Sequence, residues 1–114
     1  MAIGMEKLIG LEPIFKRKVK NVVIGMENRG WNIRIVWGKR TKKENDELVT
    51  KGVASKTSKH LPGKAVDLID RKVGYSINRN HPYYKNLAEL SKKEGLIWGG
   101  NFTQRWDPCH IEKK

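Results

Sequence analysis

The sequence predicts a single α+β domain, in which helices flank a small and mainly antiparallel sheet. A chain of 114 residues can bury one hydrophobic core but has no room for a second folded module. Helical and strand-like segments follow one another without the regular βαβ repeat that predicts a parallel sheet. Hydrophobic residues make up 38% of the chain and occur in short patterned runs, which excludes a disordered or fibrous class. We therefore expect residues 1–114 to fold as one domain.

The first predicted helix begins at Glu12, and a strand follows it. Pro13 suits a first-turn position, and apolar residues then recur at the spacing of one helix face. These apolar residues are Phe15, Val19, Val22, Val23 and Met26. Gly30 is expected to end the helix. From Trp31 to Trp37 apolar and polar side chains alternate, which predicts a strand whose two tryptophans point into the core.

A short second helix and a loop are predicted next. Thr41 suits the N-cap of a helix that runs to Thr50, and Gly52 lies beyond the end of that helix. The segment 53–63 is rich in Ser, Lys and Gly, which is typical of a loop.

The remainder of the chain contains three predicted strands and one helix. The segment 65–70 has strand character, and a helix is expected from Pro82 to about residue 94. One face of this helix is apolar through Tyr83, Leu87 and Leu90. The segments 96–98 and 109–112 are short strand candidates.

Charge and composition limit the possible partners and location. The net charge of +12 implies an anionic partner, for which nucleic acid, wall polymers and membrane surfaces all qualify. A single cysteine excludes an internal disulfide, and no apolar run approaches the roughly 20 residues of a spanning helix. Residues 1–11 lack the basic start and continuous apolar centre of a signal peptide. We therefore expect synthesis in a reducing cytosol and no stable membrane insertion.

Two of the three histidines have carboxylates near them in the sequence. Asp67 follows His60 by seven residues across a turn with Pro and Gly, so the loop imidazole and the strand carboxylate can converge. His110 lies between Asp107 and Glu112. Nitrogen and carboxylate ligands suit zinc, and a catalytic zinc site takes three of them and leaves a fourth position to water.

The same short segments offer a base and a partner for a ligand. A carboxylate near such a water can take its proton, and Asp107 is the candidate. Glu112, two residues after His110, would share a strand face with it and could orient its ring. His81, before Pro82, is expected to be a turn or helix-start residue. Spacing alone leaves open whether these are ligands or ordinary surface residues.

A longer motif resembles the zinc D-alanyl-D-alanine peptidase family. The segment 58–67, Ser-Lys-His-Leu-Pro-Gly-Lys-Ala-Val-Asp, matches the family pattern Ser-x-His-x-x-Gly-x-Ala-x-Asp. Further matches occur in the family's order along the chain. Gly-Lys-Arg-Thr at 38–41 lies before this segment, and Trp-Gly-Gly at 98–100 and Asp-x-x-His-x-Glu at 107–112 lie after it. This family includes vancomycin-resistance D,D-peptidases and phage L-alanyl-D-glutamate endolysins. The resemblance implies a hedgehog/DD-peptidase-like fold over most of the chain.

The resemblance also implies roles for individual residues. One zinc ion per chain would be held by His60, Asp67 and His110, with Asp107 as general base. Arg40 would bind the substrate carbonyl or carboxylate and stabilise the oxyanion, and Ser58 would be a substrate-binding or supporting hydrogen-bonding group. Glu112 would support a ligand without binding the metal itself.

Several positions depart from the family pattern without removing a ligand. Pro108 stands one position earlier than in the endolysins, and Cys109 and Ile111 flank the last histidine. Asn45 stands where relatives commonly have glutamine. On a strand, Cys109 would point away from the site and is expected to be a buried thiol. Trp98 and Trp106 could line the cleft or pack in the core. These departures bear on the substrate more than on the metal.

The resemblance favours a phage-type endolysin that cleaves the L-alanyl-D-glutamate bond of peptidoglycan stem peptides. A D-alanyl-D-alanine carboxypeptidase or dipeptidase is the alternative, although such relatives tend to carry glutamate at the position of Asp107. A basic nucleic-acid-binding module, or a domain of the same fold without activity, explains less of the pattern. We expect a monomer that acts on an anionic cell-wall surface and binds no nucleic acid. It would stay in the host cytoplasm until lysis and then reach the periplasm or cell wall.

Overall fold

A computed structural model describes residues 2–52, 54 and 58–114 of the chain. After a 3₁₀ helix at Met5–Leu8, the helices are α1 (Pro13–Asn28), α2 (Lys42–Thr50) and α3 (Pro82–Lys93). The strands are β1 (Ile33–Trp37), β2 (Ala65–Asp70), β3 (Ile97–Trp98) and β4 (His110–Glu112), with a second 3₁₀ helix at Gly99–Asn101. The predicted loop 53–63 lies partly outside the described residues, at 53 and 55–57.

The four strands form one sheet in the order β1-β2-β4-β3, and each neighbouring pair is antiparallel. The prediction of an α+β domain with a small antiparallel sheet is therefore confirmed. The two central strands are the ones that carry the sequence motifs around residues 67 and 110. Because central strands are hydrogen-bonded on both sides, they are the most rigid supports in such a sheet.

Helix α1 forms where the apolar period predicted it. The Glu12 carboxylate accepts hydrogen bonds from the backbone N–H groups of Ile14 and Phe15, which caps the first turn. The predicted apolar face is buried in one core together with α3 and the inner face of the sheet. Within α3, His81 is the N-cap, and its ring accepts a hydrogen bond from the Tyr83 N–H at 3.1 Å, as expected for a helix-start residue.

Strand β1 departs from the simple alternation at its end. Ile35 pairs with Leu68, but the register shifts before Trp37, which pairs with Asp67. Residues directly opposite one another in an antiparallel pair share a face, so this bulge turns Trp37 to the side of Asp67 and away from the core. The prediction that Trp37 is a core residue is therefore wrong, whereas Trp31 packs against the core as expected.

Strand β4 is one residue shorter than predicted, because it begins at His110 instead of Cys109. Cys109 is fully buried as a free thiol, in agreement with the prediction. Its burial raises the pKa of the thiol to about 12, so the group stays protonated at neutral pH. Among the described residues, no helix combines the length and the apolar character needed to cross a membrane.

Asp70 stabilises the turn after β2 and makes stability depend on pH. Its buried carboxylate accepts hydrogen bonds from the N–H groups of Asn32, Lys72 and Val73, at 2.7 to 3.1 Å. Burial alone would raise the pKa of Asp70, but these bonds outweigh burial and lower it. Because the folded-state pKa lies below the ordinary value of 3.8, the stabilisation is complete above that pH and is lost as the pH falls through the folded-state pKa.

Replacing Asp70 with asparagine should lower the free energy of unfolding by about 1–3 kcal/mol at pH 7, because the charge-assisted bonds are lost. Urea unfolding at pH 7 and pH 3 measures the effect, and the difference between variant and parent should shrink at pH 3. Asp46→Asn, on an exposed face of α2, is the matched control and should change little. An equal loss of stability in both variants would contradict the assignment.

Candidate active site

The sheet register brings the two central motifs together. Asp67 of β2 lies directly opposite His110 of β4, so both side chains project from the same face of the sheet. Val66 and Ile111, the neighbouring opposed pair, point into the core instead. The His110 Nδ1 atom lies 3.1 Å from an Asp67 carboxylate oxygen, although 43 residues separate the two in sequence.

His60 reaches the same carboxylate from the loop before β2. Its Nε2 atom lies 3.3 Å from the second carboxylate oxygen of Asp67. Its Nδ1 atom donates to the carbonyl oxygen of Gly38 at 2.9 Å, which leaves the Nε2 lone pair for a ligand. Gly38 fits closely at this point, because a Cβ atom there would clash with the carbonyl oxygen of Lys7. A glycine in the Gly-x-Arg-Thr turn therefore allows the carbonyl to approach the ring.

His110 is likewise oriented by an acceptor on the ring nitrogen that does not face Asp67. Its Nε2 atom lies 2.8 Å from Glu112 Oε1, and Lys59 Nζ pairs with the other Glu112 oxygen at 2.7 Å. Glu112 is two residues after His110 on β4 and faces the same side of the sheet. The carboxylate thus fixes the ring so that Nδ1 points towards Asp67. In both histidines a hydrogen-bond acceptor contacts the ring nitrogen that faces away from Asp67. Metal-ligating histidines are commonly oriented by such an acceptor.

His60, Asp67 and His110 together fit a metal ion. Their ligand atoms lie within 4.8 Å of one another, and all three side chains are buried. Burial favours the neutral form of Asp67, but interactions with the adjacent imidazoles of His110 and His60 outweigh it and hold the carboxyl pKa well below its ordinary value. Burial likewise lowers the pKa of His110, but its bonds to Asp67 and Glu112 raise it to about 9. A metal ion at this point would contact the ionised carboxylate of Asp67 and would take the place of the proton on the His110 ring nitrogen that faces it.

Arg40 lies beside this cluster with little freedom to move. The guanidinium is buried, lies 3.6 Å from an Asp67 oxygen and is stacked over the Trp37 ring at 4.8 Å. Its Nη1 atom donates to Asn45 Oδ1 at 3.2 Å and to Ser58 Oγ at 3.4 Å. Its buried Nε–H has no hydrogen-bond acceptor among the described residues. Burial lowers the pKa of Arg40 and the charge of Asp67 raises it, and the group remains a cation.

Asp107 faces the cluster from the loop before β4. One carboxylate oxygen lies 3.6 Å from His110 Nδ1, and the side chain is 42% exposed, so it remains open to a substrate. Burial and the nearby charge of Asp67 raise the pKa of Asp107, which favours a group that can exchange protons. Gly99 of the Trp-Gly-Gly segment packs against this loop, because a Cβ atom there would clash with the Asp107 carbonyl oxygen.

These groups open into a cleft of about 650 Å³, a size that accommodates a short peptide. Aromatic and basic side chains complete its walls. They include Trp37, Lys59, Tyr75, Phe102, Arg105 and Trp106. Trp106 both lines the cleft and packs against the core, whereas Trp98 packs against the core and its Nε1–H donates to the Pro108 carbonyl oxygen.

Every site residue that the sequence singled out lies in or beside this cleft, although the roles assigned to them remain predictions. The Ser58 hydroxyl also accepts a hydrogen bond from the His60 N–H at 3.2 Å and so supports the loop, whereas its contact with substrate stays a prediction. Sequence reasoning missed the Asn45 contact with Arg40, the Gly38 carbonyl and the Lys59 pair with Glu112. The position of Asn45, one helical turn after the N-cap Thr41, could have indicated this contact, because it places the side chain on the buried face of α2 near Arg40.

An α+β domain in which two histidines and an aspartate converge in an open cleft has the ligand set of a zinc-binding hydrolase. The chain belongs to the peptidase M15 family described as D-alanyl-D-alanine carboxypeptidase, which it matches over residues 51–113. The family resemblance inferred from the motifs is thereby confirmed.

Individual relatives agree with this assignment. The peptidoglycan L-alanyl-D-glutamate endopeptidase CwlK of Bacillus subtilis (strain 168) is 29% identical over 121 residues, which cover 90% of this chain and 72% of that protein. The L-Ala D-Glu endopeptidase ChiX of Serratia marcescens has a similar structure, with a TM-score of 0.73 and 23% identity over 100% of this chain and 90% of that one.

A vancomycin-resistance D,D-pentapeptidase VanY, solved in complex with Zn(II), gives a TM-score of 0.67 at 18% identity over 90% of this chain and 71% of that one. These structural likenesses confirm the predicted DD-peptidase-like fold.

Proposed function

We propose that the protein is a zinc metallopeptidase of the phage endolysin type that hydrolyses the L-alanyl-D-glutamate bond of peptidoglycan stem peptides. The observation that carries this proposal is the convergence of His60, Asp67 and His110 in a cleft that Asp107 also faces. Two fixed imidazoles and a carboxylate are a ligand set that suits a single zinc ion. When bound, zinc supplies a water nucleophile near neutral pH and polarises the scissile carbonyl.

Asp107 is proposed to act as the general base and then as the general acid. Its carboxylate takes a proton from the attacking water and returns it to the leaving amine nitrogen. The raised pKa of this carboxyl group suits both steps, because an acid that is too strong returns protons poorly. The partial exposure of the side chain leaves room for the peptide next to it.

Arg40 is proposed to bind the carbonyl oxygen of the scissile bond as it gains negative charge. A guanidinium that is already buried and held by Asn45 and Ser58 needs little reorganisation during the reaction. Its buried Nε–H has no acceptor among the described residues, so the guanidinium makes fewer hydrogen bonds than it has donors. A lysine would not supply the same planar set of donors.

The choice of bond rests on relatives and on one residue. The names of both CwlK and ChiX specify L-alanyl-D-glutamate endopeptidase, and the match to CwlK spans most of both chains. Asp107 supports the same bond, since D,D-cleaving members of the family tend to carry glutamate there. The family description supports D-alanyl-D-alanine cleavage as the second candidate.

Digestion of purified peptidoglycan by the zinc-loaded protein tests the proposal. Mass spectrometry of the products should find new L-alanine carboxyl termini and new D-glutamate amino termini. Released D-alanine would instead support the second candidate. Intact stem peptides after incubation with the zinc-loaded protein would overturn both.

The biological setting belongs to the same proposal. A lysis enzyme of this kind would remain in the host cytoplasm until the membrane is opened and then act on the periplasmic or wall side. The net charge of +12 supports adsorption to an anionic cell-wall surface. We propose that the protein acts as a monomer with one zinc ion per chain.

A further inference from the structure

In the part of the cleft that the structure describes, one lysine and two arginines line the walls, and they differ in how their charge is balanced. Arg40 and Lys59 each face a carboxylate, at 3.6 Å and 2.7 Å respectively. The guanidinium of Arg105 instead donates to a neutral acceptor, the carbonyl oxygen of Gly52, at 3.2 Å. Among the described residues, Arg105 is therefore the lysine or arginine of the cleft that forms no salt bridge with a carboxylate.

The position of Arg105 relates it to the leaving side of the substrate. The residue is exposed and lies two positions before Asp107, on the same wall of the cleft. Two residues span at most about 7 Å of chain, so the guanidinium can reach the space next to the Asp107 carboxylate. Its bond to Gly52 joins this wall to the turn that follows α2.

The chemistry of the substrate places a negative charge in that space. The leaving amine nitrogen must come within hydrogen-bond distance of Asp107, because that carboxylate returns the proton. In an L-alanyl-D-glutamate bond this nitrogen belongs to glutamate, which has two carboxyl groups. When the stem peptide continues through the side-chain carboxyl, the α-carboxylate stays free and is separated from the leaving nitrogen by one carbon atom.

We propose that Arg105 binds this free α-carboxylate and determines specificity for substrates with an anionic group on the leaving side. The inference rests on the proposed function and names the part of the substrate that the cleft recognises. A guanidinium forms paired hydrogen bonds to a carboxylate, which are stronger than its bond to a neutral carbonyl. Binding therefore exchanges the weaker contact with Gly52 for a stronger one with substrate.

Two synthetic peptides test the proposal. One is N-acetyl-L-alanyl-γ-D-glutamyl-L-lysine, and the other carries an amide in place of the α-carboxylate. The zinc-loaded parent protein should cleave the carboxylate peptide with a kcat/KM about 10- to 100-fold higher, as expected for one charge-assisted contact. Arg105→Gln should lose this preference mainly by losing activity on the carboxylate peptide. Arg71→Gln removes the same charge from an exposed site outside the cleft and should keep the preference.

The possible outcomes separate the inference from the function on which it rests. Equal cleavage of both peptides by the parent, or an unchanged preference in Arg105→Gln, would overturn the role of Arg105 while leaving the peptidase intact. Failure of the zinc-loaded parent to cleave either peptide would overturn the proposed function and the inference with it. Thermal unfolding of both variants should match the parent, since both side chains are exposed.

Discussion

Replacing His60 with alanine should abolish both zinc binding and peptidoglycan hydrolysis. The variant loses one of three proposed ligands, and Asp67 and His110 alone form an incomplete site. Purified parent protein should contain about one zinc ion per chain, and the variant close to none. The stabilisation that metal adds to the parent, about 2.7 kcal/mol when free zinc is 100 times the Kd, should vanish as well. Metal analysis and thermal unfolding with and without zinc measure these effects.

His81 provides the matched control for this experiment. It is the remaining histidine of the three in the chain, besides the two proposed ligands, and it caps α3 away from the cleft. His81→Asn retains a capping side chain and should keep full zinc content and activity. If His60→Ala bound zinc as well as the parent, the proposed ligand set would be wrong. If His81→Asn lost zinc, the metal would lie elsewhere.

Replacing Asp107 with asparagine should lower kcat/KM by about 100- to 10,000-fold, the usual contribution of a general acid–base group. The amide keeps the shape of the side chain but cannot take the proton of the attacking water. Zinc content should remain at the parent level, because Asp107 is not among the three converging ligands. The rate of stem-peptide cleavage and the zinc content, measured on the same samples, test both statements.

Asp46→Asn makes the same chemical change on an exposed face of α2 and should leave kcat/KM unchanged. Parent-level activity in Asp107→Asn would exclude Asp107 as the base. Loss of zinc in that variant would instead assign Asp107 to the metal site itself. The combination of retained zinc and lost activity is therefore the result that separates a base from a ligand.

Local patterns in the sequence were sufficient for most of the secondary structure. The apolar period of α1, the capping threonine of α2 and the proline that starts α3 each act within a few residues, and all three helices form where they predict. In β2, the alternation of a strand sets Asp67 on the face opposite to that of Val66 and Leu68. Such features depend on backbone geometry and near neighbours, so a single sequence contains them.

Trp37 illustrates where local patterns fail. Strict alternation places it with Ile33 and Ile35 in the core, but one extra residue at the bulge turns it towards Asp67 and Arg40. A bulge depends on how a strand pairs with its neighbour, and the strand's own sequence does not reveal that pairing. The hydrogen bond from His60 to the Gly38 carbonyl oxygen was missed for a related reason. Every residue has a backbone carbonyl, so the residue type does not indicate which one accepts a hydrogen bond.

The sequence by itself determined which side chains could do the chemistry, and the family motifs connected them to zinc and to peptide hydrolysis. The tertiary structure decided that they meet. Antiparallel pairing of β2 with β4 sets Asp67 opposite His110, and the fold of the loop turns the free nitrogen of His60 to the same carboxylate. Among the described residues, it also leaves Arg105 as the lysine or arginine of the cleft that forms no salt bridge. Register and loop placement arise from contacts between residues distant in sequence, so short-range patterns cannot specify them.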